Sequence, residues 1–138
     1  GGATKQVKAL GRFASTIGVA FQIQDDILNL KPSNGWGKDW GEDIIEGKRS
    51  LVLLYALQHL MPVERKRLLS IVDARKKPRA KVREAVKLII KTGALEYAAG
   101  IARTLVASSW KKVELLLPAS AAKSTLRTFA DYLVTRKI

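Results

Sequence analysis

The chain has 138 residues, the size of one small domain or of a piece of a larger one. Hydrophobic residues make up 47% of it, enough to bury a core, which excludes an intrinsically disordered chain. Twenty-five Lys and Arg against twelve Asp and Glu leave a formal charge of +13, which favours phosphates, nucleic acid or an anionic membrane surface as partners. With no cysteine there are no disulfides, thiolate zinc sites or thiol nucleophiles, and the single histidine, His59, leaves little material for a catalytic triad or a His-rich zinc site.

From Gln6 to Leu30 the apolar residues Val7, Leu10, Ala14, Ile17, Phe21 and Leu28 recur at three- and four-residue steps, the period of a long amphipathic helix. Residues 31 to 42 carry Pro32, Asn34, Gly35 and Gly37 and form a loop that also holds Trp36 and Trp40. Asp43 opens a second helix running through Ile44, Leu51, Leu54 and Leu57 to about Leu60, where Met61-Pro62 ends it. Gly47 within that span costs about 1 kcal/mol relative to Ala, so it marks close packing or a bend. His59 falls in this apolar run and reads as a packing residue.

Further helices are predicted over Val63 to Asp73, Arg79 to about Thr92, Ala94 to Leu117 and Ser124 to about Thr135, with breaks at Lys77-Pro78, Gly93 and Pro118. Trp110, Phe129 and Tyr132 sit on apolar faces and are assigned to the core, while Arg136 and Lys137 read as the surface charge of a frayed end. No alternating strand pattern is present. The expected fold is all-α, an antiparallel bundle of about six helices. No apolar stretch reaches the roughly 18 to 20 residues of a membrane span, so a soluble or peripheral protein of the cytoplasm or an organelle is expected. The chain opens on Gly1 and its only methionine is Met61, which reads as a cut chain.

Six of the twelve acids, Asp25, Asp26, Asp39, Glu42, Asp43 and Glu46, lie between positions 25 and 46 of an otherwise basic chain. Gln22, Asp25, Asp26 and Asn29 stand at i, i+3, i+4 and i+7 and therefore share one helix face. Adjacent carboxylates repel, and a bound cation relieves that cost. Hard oxygen ligands suit Mg²⁺, which takes one or two protein carboxylates and completes its shell with water and substrate phosphate. Lys38 and Lys48 follow, cations suited to holding a diphosphate.

The segment from Gly18 through Phe21-Gln22 and Asp25-Asp26 to Asn29-Leu30 resembles the second aspartate-rich region of the trans-isoprenyl diphosphate synthases, the family of farnesyl and geranylgeranyl diphosphate synthases. Gly37-Lys38 and the run from Glu42-Asp43 to Lys48-Arg49-Ser50-Leu51 resemble that family's next lysine-bearing segment, and Thr92-Gly93-Ala94-Leu95 onward resembles its C-terminal helices. The resemblance covers essentially the whole chain but only the C-terminal half of the family's fold, so residues 1–138 are expected to be that half of a polyprenyl synthase domain.

The resemblance implies Mg²⁺-dependent ionisation of an allylic diphosphate and attack by isopentenyl diphosphate. By position, Asp25 and Asp26 would be metal ligands, Gln22 and Phe21 would lie beside the substrates, Lys38 and Lys48 would bind the allylic diphosphate, and Asp43 would support Lys48 from behind. Asn29 replaces a third aspartate, a pattern similar to eukaryotic-type geranylgeranyl diphosphate synthases. The family's first aspartate-rich motif, the arginines after it and its Lys-Thr pair are absent from these residues. The chain alone is therefore expected to be inactive, to need an N-terminal half or a partner chain, and to associate as a homo- or hetero-oligomer.

Between Met61 and Lys91 lie eleven Lys and Arg against three acids. Without aromatic residues to stack bases, the block is a poor nucleic-acid surface; an anionic membrane is the better macromolecular partner, and a solvated charged face the ordinary reading. The rival functional classes are a noncatalytic synthase-like subunit and a basic helical module binding membrane or nucleic acid.

Overall fold

The computed structural model describes residues 2–31 and 40–136. These residues are all-α and contain no strand. Seven helices follow one another: α1 (Thr4–Asn29), α2 (Glu42–Glu46), α3 (Leu51–His59), α4 (Pro62–Val72), α5 (Arg79–Ile90), α6 (Ala94–Glu114) and α7 (Ala121–Thr135). None is long and apolar enough to cross a membrane.

The chain folds as two compact units. One comprises residues up to Gln24 together with Ala99 onward, and the other spans Asp25–Ala98. In the first unit α1 buries Phe13, Ile17 and Ala20, whereas of the periodic apolar positions only Ile17 is buried and Val7 and Ala14 are exposed. The Phe13 ring meets that of Trp110 at 5.4 Å in a tilted pair. Two side-chain amides anchor α1 to distant backbone. The Gln6 Nε2 donates to the Leu116 carbonyl at 2.8 Å, and the buried Gln24 Nε2 donates to the Arg136 carbonyl at 3.0 Å. Arg136 is not frayed surface charge: its guanidinium lies over the Phe21 ring at 4.4 Å, a cation–π contact that pins the end of α7. Ser120 caps α7 by accepting the Lys123 N–H, so the helix begins earlier than the periodicity placed it. Trp110 is core as expected, but Phe129 and Tyr132 are exposed.

The second unit is built around α4 and α5, which run antiparallel: Arg67 pairs with Glu84, and Lys91 with Glu64. Leu68, Ile71 and Val72 of α4 and Val82, Val86 and Ile89 of α5 are buried, with Val52, Leu53 and Ala56 of α3. The single helix expected from Asp43 to Leu60 is two. Gly47 ends α2 in the left-handed conformation at φ 74°, and Ser50 starts α3 by accepting the Leu53 N–H. A side chain at Gly47 would press on the Val72 carbonyl, its Cβ only 3.2 Å away, so close packing and chain reversal both fall on this residue. His59 is exposed at the end of α3, where its ring stacks on Tyr55 at 3.8 Å.

Candidate active site

The last turn of α1 carries Asp25 and Asp26, and helical geometry sends their side chains about 100° apart. Asp25 is half-buried, whereas the Asp26 side chain retains only 7% exposure. A buried carboxylate needs a partner to offset its lost hydration. Lys48, on the short stretch between α2 and α3, provides one by donating to Asp26 Oδ1 at 2.6 Å. The same ammonium donates to Asp43 Oδ2 at 3.3 Å. Residues separated by 22 positions in the chain thus meet in one cluster of two carboxylates and one cation.

Opposed influences act on the ionisation of this cluster. Burial raises the Asp43 pKa, and the charges of Asp26 and Glu46 push the same way, outweighing the Lys48 cation. For Lys48, burial works to lower the pKa, but the hydrogen bond and charge of Asp26, with the contribution of Asp43, raise it above its ordinary value. The ammonium is charged at neutral pH. Of its three N–H donors two are taken, and with its side chain 35% exposed the third remains available to an acceptor from outside.

Position 29 holds the cluster together. Asn29 Oδ1 accepts the Asp43 N–H at 3.1 Å, and its backbone carbonyl accepts the Gly41 N–H at 2.9 Å. Gly41, the N-cap of α2, has no side chain to cap the helix, so Asn29 performs that task from fourteen residues upstream. Gly41 is itself dictated by packing, because it adopts φ 78° and a Cβ there would stand 2.4 Å from Val82 Cγ1. Trp40 Nε1 donates to the Leu30 carbonyl at 3.1 Å, tying the same segment to the end of α1. Two cations from the start of α5 complete the support. Arg79 donates to the Trp40 carbonyl at 3.1 Å and Lys77 to the Ile45 carbonyl at 2.9 Å, one on each side of Asp43.

Asp26, Asn29, Asp43 and Lys48 are therefore brought together, with Asp25 beside Asp26 on α1. Lys38, with Trp36, Gly37 and Asp39, lies outside the described residues. Gln22 is exposed on α1, and Phe21 is half-buried in the first unit. There Phe21 lines an apolar groove of about 560 Å³ together with Phe13, Ile17, Leu126, Phe129 and Leu133. Among the described residues no three carboxylate or imidazole groups converge as a ready-made metal cage. The roles of Asn29, Lys77 and Arg79 as props of α2 had no signal in the sequence, since each acts on backbone atoms of a segment far along the chain.

A family model described as polyprenyl synthetase matches residues 1–89. The chain belongs to the polyprenyl synthetase family. It is 34% identical over 138 residues to a short chain isoprenyl diphosphate synthase of Methanothermobacter thermautotrophicus, covering 99% of this chain and 42% of that protein. The geranylgeranyl pyrophosphate synthetase of Pyrococcus horikoshii superposes with a TM-score of 0.83 at 30% identity, over 98% of this chain and 41% of that one. A geranylgeranyl pyrophosphate synthase of Corynebacterium glutamicum, solved with isoprenyl diphosphate and magnesium, gives a TM-score of 0.87 at 28% identity, over 99% and 39% respectively. This polyprenyl synthetase chain thus spans about two fifths of the length of the relatives it matches.

Proposed function

We propose that the chain is the C-terminal half of a trans-prenyltransferase domain and supplies one wall of its active site, the wall that holds the allylic diphosphate for condensation with isopentenyl diphosphate. In that reaction the allylic C–O bond breaks with its electron pair leaving on diphosphate, the isopentenyl double bond forms the new C–C bond, and a proton is lost to restore an alkene. The observation that carries the reading is Lys48, a partly exposed side chain whose ammonium is fixed by Asp26 and Asp43 with one donor to spare. A fixed cation beside a leaving diphosphate stabilises charge that develops as the bond breaks. By the family resemblance Lys38 would be a second cation for the allylic diphosphate.

The donor set agrees with Mg²⁺. Asp25 and Asp26 offer two adjacent carboxylates, the number this ion ordinarily takes from protein before water and substrate phosphate complete its shell. Bound there, the ion would supply positive charge to the diphosphate oxygens. Asp26 would hold its carboxylate in one orientation because Lys48 locks it, and Asn29 and Asp43 would act behind it by keeping Lys48 in place. Gln22 and Phe21 would lie toward the substrates. Asn29 and the five-residue spacing from Lys38 to Asp43 support a twenty-carbon product.

A wall needs its counterpart. The apolar groove beside Phe21 and the half-exposed Phe129 are surfaces that further helices of a synthase would cover, in the same polypeptide or in a partner chain. The chain alone is accordingly inactive in prenyl transfer and self-associates. Calorimetric titration with inorganic diphosphate in MgCl₂ tests the wall directly. The expected result is Mg²⁺-dependent binding that weakens at least about tenfold in Asp25→Asn with Asp26→Asn; affinity unchanged in that variant overturns the reading.

A further inference from the structure

Outside the Asp26–Lys48 cluster the second unit carries another concentration of charge. All three acids of the block from Met61 to Lys91 are consumed by cations: Glu64 by Lys91, Asp73 by Arg49, and Glu84 by both Arg67 and Lys81. The block's cations outnumber those acids by eight. Several converge where α4 ends and α5 begins, around a pocket of about 290 Å³ lined by Arg67, Ser70, Lys76, Lys77 and Lys81. None of the lining residues is acidic, and Glu84, which pairs with two of them, accepts from Arg67 at 2.5 and 3.1 Å and from Lys81 at 3.0 Å. Four cations against one carboxylate leave the pocket strongly positive.

The pocket's shape and chemistry restrict what can enter. Its volume lies at the lower edge of the roughly 300 to 1,000 Å³ typical of small-molecule sites, too small for a folded partner. It has no aromatic lining, so nothing there would stack a base. Lys76 makes no hydrogen bond or ion pair among the described residues, and Lys77 donates only to the neutral Ile45 carbonyl. The N-terminus of α5 opens at the same place, with Pro78 as an N-cap that offers no side-chain acceptor. Its dipole adds positive potential to that of the lysines. Cations spread over two helix ends match an anion with charge on two neighbouring centres better than a single carboxylate.

We infer that the pocket between α4 and α5 is a diphosphate-binding site separate from the Asp26–Lys48 cluster, taking a diphosphate group that is either free or the head of a lipid. Lys76, Lys77, Arg67 and Lys81 are its ligands. This site stands whether or not the synthase reading does, since none of its four ligands is a residue proposed to touch substrate or metal. It also touches that cluster's support. Lys77 is the residue that holds the Ile45 carbonyl at the end of α2, so an anion that draws Lys77 away loosens the segment between Asp43 and Lys48.

The test is binding of inorganic diphosphate, followed by ³¹P NMR and calorimetry, in EDTA so that no divalent metal contributes, at about 0.15 M salt. Saturable binding is expected in the full chain and in Asp26→Asn with Lys48→Met. It should fall about tenfold or more in Lys76→Ala with Lys81→Ala. Lys66→Ala with Lys87→Ala, which removes the same charge outside the pocket, should stay within about twofold of the parent. Farnesyl diphosphate in place of inorganic diphosphate identifies the source: equal affinity points to the free anion, tighter binding to a lipid head, and both support the site. Equal loss in the two lysine pairs would mean diffuse surface attraction and would overturn it. So would loss in the Asp26 and Lys48 variant alone, or no binding in the parent chain.

Discussion

Asn29 Oδ1 accepts the Asp43 N–H at 3.1 Å, so a residue from the last turn of α1 caps a helix that begins thirteen residues later with Glu42. The bond substitutes for the side chain that Gly41 lacks. Replacing Asn29 by Ala removes it and is expected to cost about 1 kcal/mol, the usual worth of an N-cap, whereas Asn29→Asp retains an acceptor and most of the stability. Urea unfolding of the two variants checks this, with amide exchange at Asp43 rising in Asn29→Ala only.

Lys48 is the counter-charge of a carboxylate that keeps 7% of its exposure. Lys48→Met leaves Asp26 buried beside an apolar side chain. The expected loss is about 2 kcal/mol, below the range for fully buried pairs because Lys48 itself is more than a third exposed. Adding Asp26→Asn to Lys48→Met removes the carboxylate charge that Lys48 had balanced and should restore part of that stability. Equal destabilisation in the single and double variants would show that Lys48 acts by packing and not by charge.

The Glu84 carboxyl is held down to about 2 by its hydrogen bond to Arg67, with Lys81 acting in the same direction. A carboxyl whose folded pKa lies below its ordinary 4.5 contributes stability that is complete above that value. The contribution disappears as pH falls from 4.5 through about 2. Observation of the Glu84 carboxyl carbon by NMR should give a midpoint near 2 in the parent and a return toward 4.5 in Arg67→Gln.

Gly41 combines φ 78° with a neighbour that a Cβ would meet at 2.4 Å. Gly41→Ala is therefore expected to destabilise the second unit by about 2 kcal/mol or more, from left-handed backbone strain and from overlap with Val82 together. Val82→Ala in the same chain should relieve the overlap and leave the backbone strain. A Gly41→Ala protein as stable as the parent, judged by thermal unfolding, would contradict this account.

Much of the molecule follows from local rules that act within a few residues. The three- and four-residue recurrence from Val7 to Leu28 predicts α1 almost to its ends, and Pro62, Pro78 and Gly93 mark breaks at which helices do start or stop. The same periodicity assigns Gln22, Asp25, Asp26 and Asn29 to one face, and the concentration of acids in a basic chain marks the region of interest. The join at residues 47 to 50 was harder to read. Apolar spacing continues through it, while a left-handed Gly47 and the Ser50 cap interrupt the backbone that the spacing describes.

Tertiary structure alone decided which carboxylate is buried, which cation answers it, and what the neighbours do. Helical periodicity gives a residue's angle about its own axis and says nothing of the element that arrives against it. That Asp26 rather than Asp25 is sealed, that Lys48 bridges it to Asp43, that Lys77 and Arg79 grip the two sides of α2, and that Arg136 lies on Phe21 all depend on contacts between residues far apart in the chain. Such contacts form between side chains and backbone atoms whose meeting is set by packing, because a buried charge or an uncapped helix end takes whichever partner the assembled core brings within reach.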